Sequence, residues 1–315
     1  MSDERYEAIK GFHIYNPSKV LLYTKEVDSK TPVFLEVHPS THCNNKCIWC
    51  RYMRSEKSSL LREELFGLFN EFPKIVGIRI TGGGEPLVNE YTIPFIEECY
   101  KHGIKTGIET NGLLLDKKSA EVIARCCVYI RISLDASTPS TYSLVHGVNT
   151  FIEVLKNIKT LREIVDKNKS KLEIGVSFLV TRFNVWDIPA LADLKLPVSY
   201  IHFKPLISGI EDNVKEMALT NIKELKEKLP NTPLKYDRMI KDYRCNPKVK
   251  CLITNIVQVI GGDHRRYVCC EHAYEPEFTV DGWDKSTSKC TLCRYLPYNE
   301  VLDLWETNSF TKELL

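Results

Sequence analysis

The chain has 315 residues, 43% hydrophobic and 27% charged, the make-up of a folded protein with a sizeable core and room for a second unit. Its 43 basic and 41 acidic residues leave a net charge of +2, which excludes a general electrostatic pull towards nucleic acid or an anionic membrane surface. No run approaches the roughly 18 apolar residues of a membrane span, and the polar start MSDERYEAIKGF lacks a signal-peptide core, so a cytoplasmic protein is expected.

Residues 1–32 read as an N-terminal extension. Strand-like runs follow at 33–38 (VFLEVH), 75–81 (IVGIRIT), 104–110 (IKTGIET), 128–135 (VYIRISLD), 172–180 (LEIGVSFLV) and 199–204 (SYIHFK). Helical patterns lie near 58–71, 91–102, 117–125, 150–165 and 187–194. Strands joined by crossover helices predict an α/β core over 33–210, with a parallel sheet that is open or curled into a partial (β/α)6 barrel. Sites of such sheets gather at the C-terminal strand ends.

Buried parallel strands usually read as continuous apolar runs; these alternate. Val128, Ile130, Ile132 and Leu134 oppose Tyr129, Arg131, Ser133 and Asp135, and similar alternation sets Glu36, His38, Arg79, His202 and Lys204 on one face. Side chains alternate across a strand, so one face packs on helices and the other is polar. A polar cavity inside a curled sheet fits this better than a solvated face. Its lining, with Glu36, Glu109 and Asp135 against Arg79, Arg131 and Lys204, suits a polar, hydrogen-bonding substrate. Glu36, His38, Arg79, Glu109, Arg131, His202 and Lys204 are therefore candidate substrate contacts.

After about residue 205 the alternation stops, and 211–315 is expected to form a second, smaller C-terminal unit. It holds a helical pattern near 214–228, a Pro- and Cys-rich stretch at 240–298 and an amphipathic helix near 299–314. The chain has twelve cysteines, none between 128 and 244. In a cytosolic chain disulfides are rare, so metal or redox use is the expectation. Cys99, Cys126 and Cys127 read as small buried hydrophobes, and His102 and His146 as surface or capping residues.

The first cysteine group is Cys43-Asn-Asn-Lys-Cys47-Ile-Trp49-Cys50, directly after the first strand. Three thiolates on an iron–sulfur cluster leave one iron open; a zinc site would need a fourth ligand, which His38 or His42 could supply. The C-x3-C-x2-C spacing with an aromatic before the last cysteine resembles the radical S-adenosylmethionine (radical SAM) family. The second strand then ends in Thr81-Gly82-Gly83-Gly84-Glu85-Pro86, similar to that family's GGEP motif, and the resemblance spans roughly 33–204. It implies a 4Fe-4S cluster on Cys43, Cys47 and Cys50 whose open iron chelates S-adenosylmethionine. It also implies Trp49 against the adenine, Gly83, Gly84 and Glu85 at the ammonium group, and Asn111, Ser133, Asp135 and, more weakly, Arg182 and Asn184 around the cofactor.

The second group, Cys251, Cys269 (or Cys270), Cys290 and Cys293, has the spacing C-x17-C-x20-C-x2-C. It reads as a closed metal site, zinc or iron–sulfur. It resembles the twitch form of the SPASM-like auxiliary-cluster domain, as in aminocyclitol dehydrogenases, which implies an auxiliary iron–sulfur cluster and leaves Cys245 and one of Cys269/Cys270 over. The expected activity is reductive cleavage of S-adenosylmethionine to a 5′-deoxyadenosyl radical, which takes hydrogen from a sugar, aminocyclitol or nucleotide-linked sugar. Dehydrogenation, or epimerisation with Cys245 or Cys270 returning a hydrogen atom, would follow. A flavodoxin or ferredoxin is the expected reducing partner. Modification of a ribosomal peptide is the other enzymatic reading, although 32 residues before the first strand are short for a peptide-recognition domain. A zinc-stabilised binding module is the non-enzymatic one.

Overall fold

A computed structural model describes residues 32–52, 56–206, 209–240, 250–281 and the single positions 283 and 290. Six strands run parallel in chain order: β1 (Phe34–Val37), β2 (Gly77–Ile80), β3 (Lys105–Thr110), β4 (Cys127–Ser133), β5 (Glu173–Val180) and β6 (Tyr200–Pro205). Each lies where the alternation predicts it, within about two residues at either end.

Helices α1 (Arg62–Glu71), α2 (Thr92–Lys101) and α3 (Lys117–Cys126) form the first three crossovers. Between β4 and β5 come α4 (Pro139–His146) and α5 (Phe151–Lys167). α4 was not apparent from periodicity. It starts at Thr138, whose hydroxyl accepts the Thr141 N–H at 3.2 Å, with Pro139 at the first helical position. The helix expected at 187–194 is instead two 3-10 turns, Val185–Asp187 and Pro189–Ala192. Ile188, before Pro189, stays helical, at φ −57° and ψ −49°, but Pro189 has no N–H with which to continue a helical hydrogen-bond ladder.

The sheet does not end at residue 205, where the alternation stops. Helix α6 (Asp212–Lys228) leads to β7 (Leu234–Lys235) beside β6, and β8 (Val257–Ile260) pairs in parallel with β1 at the opposite side. β9 (Arg266–Tyr267) runs antiparallel to β8. Among the described residues the sheet is therefore open, with the order β7-β6-β5-β4-β3-β2-β1-β8-β9. The N-terminal extension, Cys245, Cys293 and the helix expected at 299–314 lie outside the described residues. No described helix is long and apolar enough to cross a membrane.

One face of the sheet packs on the helices: Leu35, Val37, Ile78, Ile80, Ile108, Ile130, Ile132, Val176 and Phe203 belong to one apolar core. Cys99, Cys126 and Cys127 join it as buried residues, as expected. The other face is layered. Gly107 and Gly175 leave room for the rings of Tyr129 and Tyr200 on neighbouring strands, which any Cβ there would strike. In the register row of Gly107 and Tyr129, Glu36 stands beside Arg79, and in the row of Gly175 and Tyr200, Glu109 stands beside Arg131. Neighbouring strands are about 4.8 Å apart, yet Arg131 on β4 reaches His202 on β6 at 3.3 Å, across β5. Phe34 on β1 likewise shares a cluster with Tyr129 on β4. These associations over intervening strands agree with a curled sheet, the partial barrel inferred from alternation.

Candidate functional site

The loop after β1 carries the first three cysteines, and backbone groups that need partners set its course. The last carbonyls of a helix have no partner within it. At the end of α4 the loop supplies two: Lys46 N–H donates to His146 O at 2.8 Å, and Ile48 N–H to Val145 O at 3.1 Å. At the loop's base the Thr41 N–H donates to Ser58 O at 2.9 Å. From the second strand, Glu85 N–H donates to His42 O at 2.7 Å. Gly84 lies so close that any Cβ would run into the His42 carbonyl, so the 82–85 turn can make this approach only as glycine.

The three thiols are free, Cys43 exposed and Cys47 and Cys50 half-buried. Burial pushes the Cys47 thiol up, with Asp135, Cys50 and Cys43 adding to it. Burial also raises Cys43, against a hydrogen bond from Asn45 and together with Glu85 and Cys50. The thiols are thus electrostatic neighbours. Among the described residues, however, no three His, Cys, Asp or Glu side chains converge as a finished metal site. The donor set still fits an iron–sulfur cluster: three thiols on one short loop, beside a glycine turn. Asn44 Nδ2 and Asn45 Oδ1, buried next to the thiols, have no hydrogen-bond partner among the described residues and leave polar capacity there.

Glu85 is 2% exposed, and its carboxylate is held from inside. It accepts from Leu87 N–H at 3.0 Å, Thr110 Oγ1 at 2.6 Å and Asn111 N–H at 2.8 Å. Burial pushes its carboxyl up while these three donors pull it down. Glu85 therefore ties the end of β2 to the end of β3. Asn111, at that end, donates to Asn44 Oδ1 at 2.6 Å and lies 4.0 Å from Cys43 Sγ.

His146 corrects the sequence expectation. It is 1% exposed, with Nδ1 3.2 Å from Cys47 Sγ and Nε2 donating to Leu134 O at 3.1 Å. Asp135 Oδ2 lies 3.4 Å from Nε2, and the Trp49 ring approaches edge-on at 6.4 Å. No spacing pattern could reveal His146, because its partner is 99 residues away. Asp135 has a positive φ of 54°, unusual for a non-glycine residue. Its Oδ1 accepts the Leu179 N–H at 2.6 Å, and Asn184 Nδ2 donates to the Asp135 carbonyl at 2.8 Å. Ser133 faces Ser177 with 3.4 Å between hydroxyls. Arg182 is 65% exposed on the side chain, 3.7 Å from Glu211 and over the Phe183 ring, and is not drawn towards the thiols.

The seven substrate candidates form two groups. Glu36, Arg79, Glu109, Arg131 and His202 pair with one another: Arg79 binds Glu36 and lies 3.9 Å from Glu109, Arg131 binds Glu109, and His202 accepts from Arg131. Buried charges persist only when paired, and here opposite charges on successive strands neutralise one another. Nearer the strand ends, His38 donates from Nε2 to Glu36 at 2.9 Å and receives Tyr274 O–H at Nδ1, 3.1 Å away. Burial raises the Asp135 carboxyl, and His146, the hydrogen bond from Leu179 and Lys204 work against that rise. Tyr274, missed in the sequence, comes from beyond β9, has a positive φ of 71° and fills the space that the absent side chain of Gly83 leaves.

The second cysteine group sits differently. Cys251, Cys269 and Cys270 are buried and Cys290 half-buried. Burial pushes the Cys269 thiol well up, with Cys270, Cys251 and Cys290 adding to it. The four are therefore neighbours, inside an apolar cluster with Phe34, Leu252, Val257, Tyr267 and Phe278.

The Radical SAM superfamily profile matches residues 37–194, which contain the loop, the glycine turn and the core strands β2 to β5. A GTP 3',8-cyclase of Heliobacterium modesticaldum is 31% identical over 192 residues, 56% of this chain and 56% of that protein. The Fe-coproporphyrin III synthase of Methanosarcina barkeri is 25% identical over 183 residues, 56% of this chain and 43% of that protein. The chain thus spans about half the length of these curated relatives. Among solved structures, Streptococcus suis SuiB bound to its precursor peptide SuiA has a TM-score of 0.62 at 15% identity, covering 83% of this chain and 65% of that one. The anSMEcpe protein with bound AdoMet has a TM-score of 0.58 at 16% identity, covering 82% and 79%. The structural likenesses show a shared fold, and with the profile match over half of the sequence the chain belongs to the radical SAM superfamily, whose members use a 4Fe-4S cluster and S-adenosylmethionine.

Proposed function

We propose that this protein reductively cleaves S-adenosylmethionine at a cluster carried by Cys43, Cys47 and Cys50, and that the radical so formed takes hydrogen from a polar substrate. The observation that carries the reading is the clamped three-thiol loop, fixed by the carbonyls at the end of α4 and by the glycine turn before Glu85. When bound, the cluster supplies one electron to S-adenosylmethionine, whose cleavage provides a carbon radical. The chain's own residues bind and orient. His146 holds the Cys47 side chain, and Glu85 and Asn111 hold the floor beside Cys43. The belt of Glu36, Arg79, Glu109 and Arg131 is charge-paired internally and acts as the base of the cavity. Substrate recognition then falls to groups nearer the strand ends: His38, Ser133, Lys204 and Tyr274.

Hydroxyl, imidazole and ammonium groups in such a ring suit a sugar, an aminocyclitol or a nucleotide-linked sugar. The several relatives named for action on GTP support a nucleotide-type substrate. Oxidation or epimerisation is the outcome proposed, with the second cysteine group as an auxiliary cluster. The test is anaerobic reconstitution with iron and sulfide, followed by S-adenosylmethionine and dithionite. We expect a brown protein that forms 5′-deoxyadenosine. A colourless, zinc-loaded protein that forms none would favour the binding-module reading.

A further inference from the structure

We propose that Ser58, His264 and Glu64 form a second reactive site, in which Ser58 is the nucleophile for small, activated carboxylic esters. The three lie outside both the Cys43–Cys50 loop and the polar face, and the site stands independently of the cluster assignment. They come from three segments: Ser58 from the chain just before α1, Glu64 from the first turn of α1, and His264 from the turn between β8 and β9. Ser58 Oγ is 2.8 Å from His264 Nε2, and His264 Nδ1 is 2.7 Å from Glu64 Oε1. A carboxylate only accepts, so the neutral ring carries its proton on Nδ1, and Nε2 accepts from the Ser58 hydroxyl. A hydroxyl bonded to an imidazole whose other nitrogen is held by a carboxylate is the arrangement that activates serine.

Each of the three is fixed from behind. Ser58 N–H donates to Thr41 Oγ1 at 2.7 Å, and Ser58 O accepts the Thr41 N–H at 2.9 Å. The second oxygen of Glu64 accepts the Leu61 N–H at 2.7 Å, across the start of α1. His264 has a φ of 68° in a tight turn whose Gly261 N–H donates to Arg265 O at 2.7 Å. Gly262 in that turn lies so close to Ser40 that any Cβ would strike its backbone. A positive φ is costly for a residue with a side chain and persists only where its surroundings impose it; here it accompanies a ring held against Ser58. The side chains of His264 and Glu64 are 42% and 35% exposed, so the site is open to solvent. The Ser59 N–H, next in the chain, has no acceptor among the described residues and is the donor available to a developing oxyanion. An open site supplies little binding energy, so the ester must be small and its leaving group good. Ser58 Oγ bonds to the carbonyl carbon and its proton passes to His264 Nε2. The carbon–oxygen bond to the leaving group then breaks, and the departing oxygen takes that proton. Water, giving a proton to His264, next attacks the acyl-serine; the acid leaves and Ser58 recovers its proton.

The experiment uses the full chain with a fluorophosphonate probe, which labels activated serines and leaves ordinary ones. Peptide mass mapping should place the probe on Ser58. p-Nitrophenyl acetate should acetylate the same residue, read by the same mapping, so that reaction elsewhere in the chain does not count. His264→Gln should slow labelling of Ser58 about hundredfold, with thermal unfolding showing that the variant is folded. Glu64 acts through His264 and is a positioning residue. Nitrogen NMR of the imidazole should show His264 as the Nδ1–H tautomer in the parent and as a mixture of tautomers in Glu64→Ala. A parent that is not labelled at Ser58 would overturn the proposal whatever the variants do, because the three groups would then be only a tie between segments. Equal labelling of Ser58 in the parent and in folded His264→Gln, or an Nε2–H tautomer in the parent, would overturn it as well.

Discussion

Three cysteines on the loop after β1 and four around Cys269 are both groups of neighbouring thiols, but their surroundings are opposites. The first group stands on an exposed or half-buried loop among Asn44, Asn45, Asn111 and His146, with its backbone fixed by α4 and the glycine turn. The second is enclosed by Phe34, Leu252, Val257, Tyr267 and Phe278. A small molecule that must meet a metal needs an open side and polar partners; among the described residues the first group has both, whereas three of the second group's four cysteines are buried in an apolar cluster. Cysteine spacing points to metal at both places, and only the environment separates a reactive site from a closed one.

The sharpest break of this comparison removes the first group. A Cys43→Ala, Cys47→Ala, Cys50→Ala variant should lose dithionite-driven 5′-deoxyadenosine formation entirely, while keeping its circular dichroism and the iron of the second group. Iron analysis and product chromatography check both halves, and complete loss of iron would remove the auxiliary cluster from the account. Next comes His146→Leu. Groups that orient a metal ligand typically change metal affinity about ten- to hundredfold. Iron retention under a chelator challenge should fall by that much, with the fold unchanged; full retention would mean that the contact with Cys47 is only packing. Gly84→Ala should cost about 1–3 kcal/mol by forcing the turn away from the His42 carbonyl. Thermal unfolding measures that loss, and S-adenosylmethionine cleavage should drop with it. The smallest effect is expected at the enclosed group. Cys269→Ser should lower the iron held by the second group, read by iron analysis, with 5′-deoxyadenosine still formed.

The six core strands were legible because each is at least four residues long and shows the alternation of a sheet with one apolar face. β7 and β9 were not, since two residues carry no period, and β8 reads VQVI between Cys-rich segments without a helical partner to mark it. α4 could have been found from Thr138-Pro139, a cap followed by proline at the first helical position, but its Ser- and Thr-rich sequence, PSTYSLVH, masked the helix. The loop cysteines, Gly84 and Glu85 were legible from their spacing and order. His146 and Tyr274 were not, because their roles exist only through contacts with Cys47 and with His38 and Gly83, far away in the chain. The polar face was legible as a face, but alternation alone could not show that Glu36, Arg79, Glu109 and Arg131 neutralise one another.

Electron paramagnetic resonance of the reduced protein, recorded before and after addition of S-adenosylmethionine, tests the central claim most directly. On the proposed assignment the open iron belongs to the first group, so the parent should give a reduced-cluster signal that changes shape when S-adenosylmethionine binds. The Cys43→Ala, Cys47→Ala, Cys50→Ala variant should give no signal that responds to S-adenosylmethionine. A responsive signal that survives in that variant would place the cofactor at the enclosed cysteines and contradict the account.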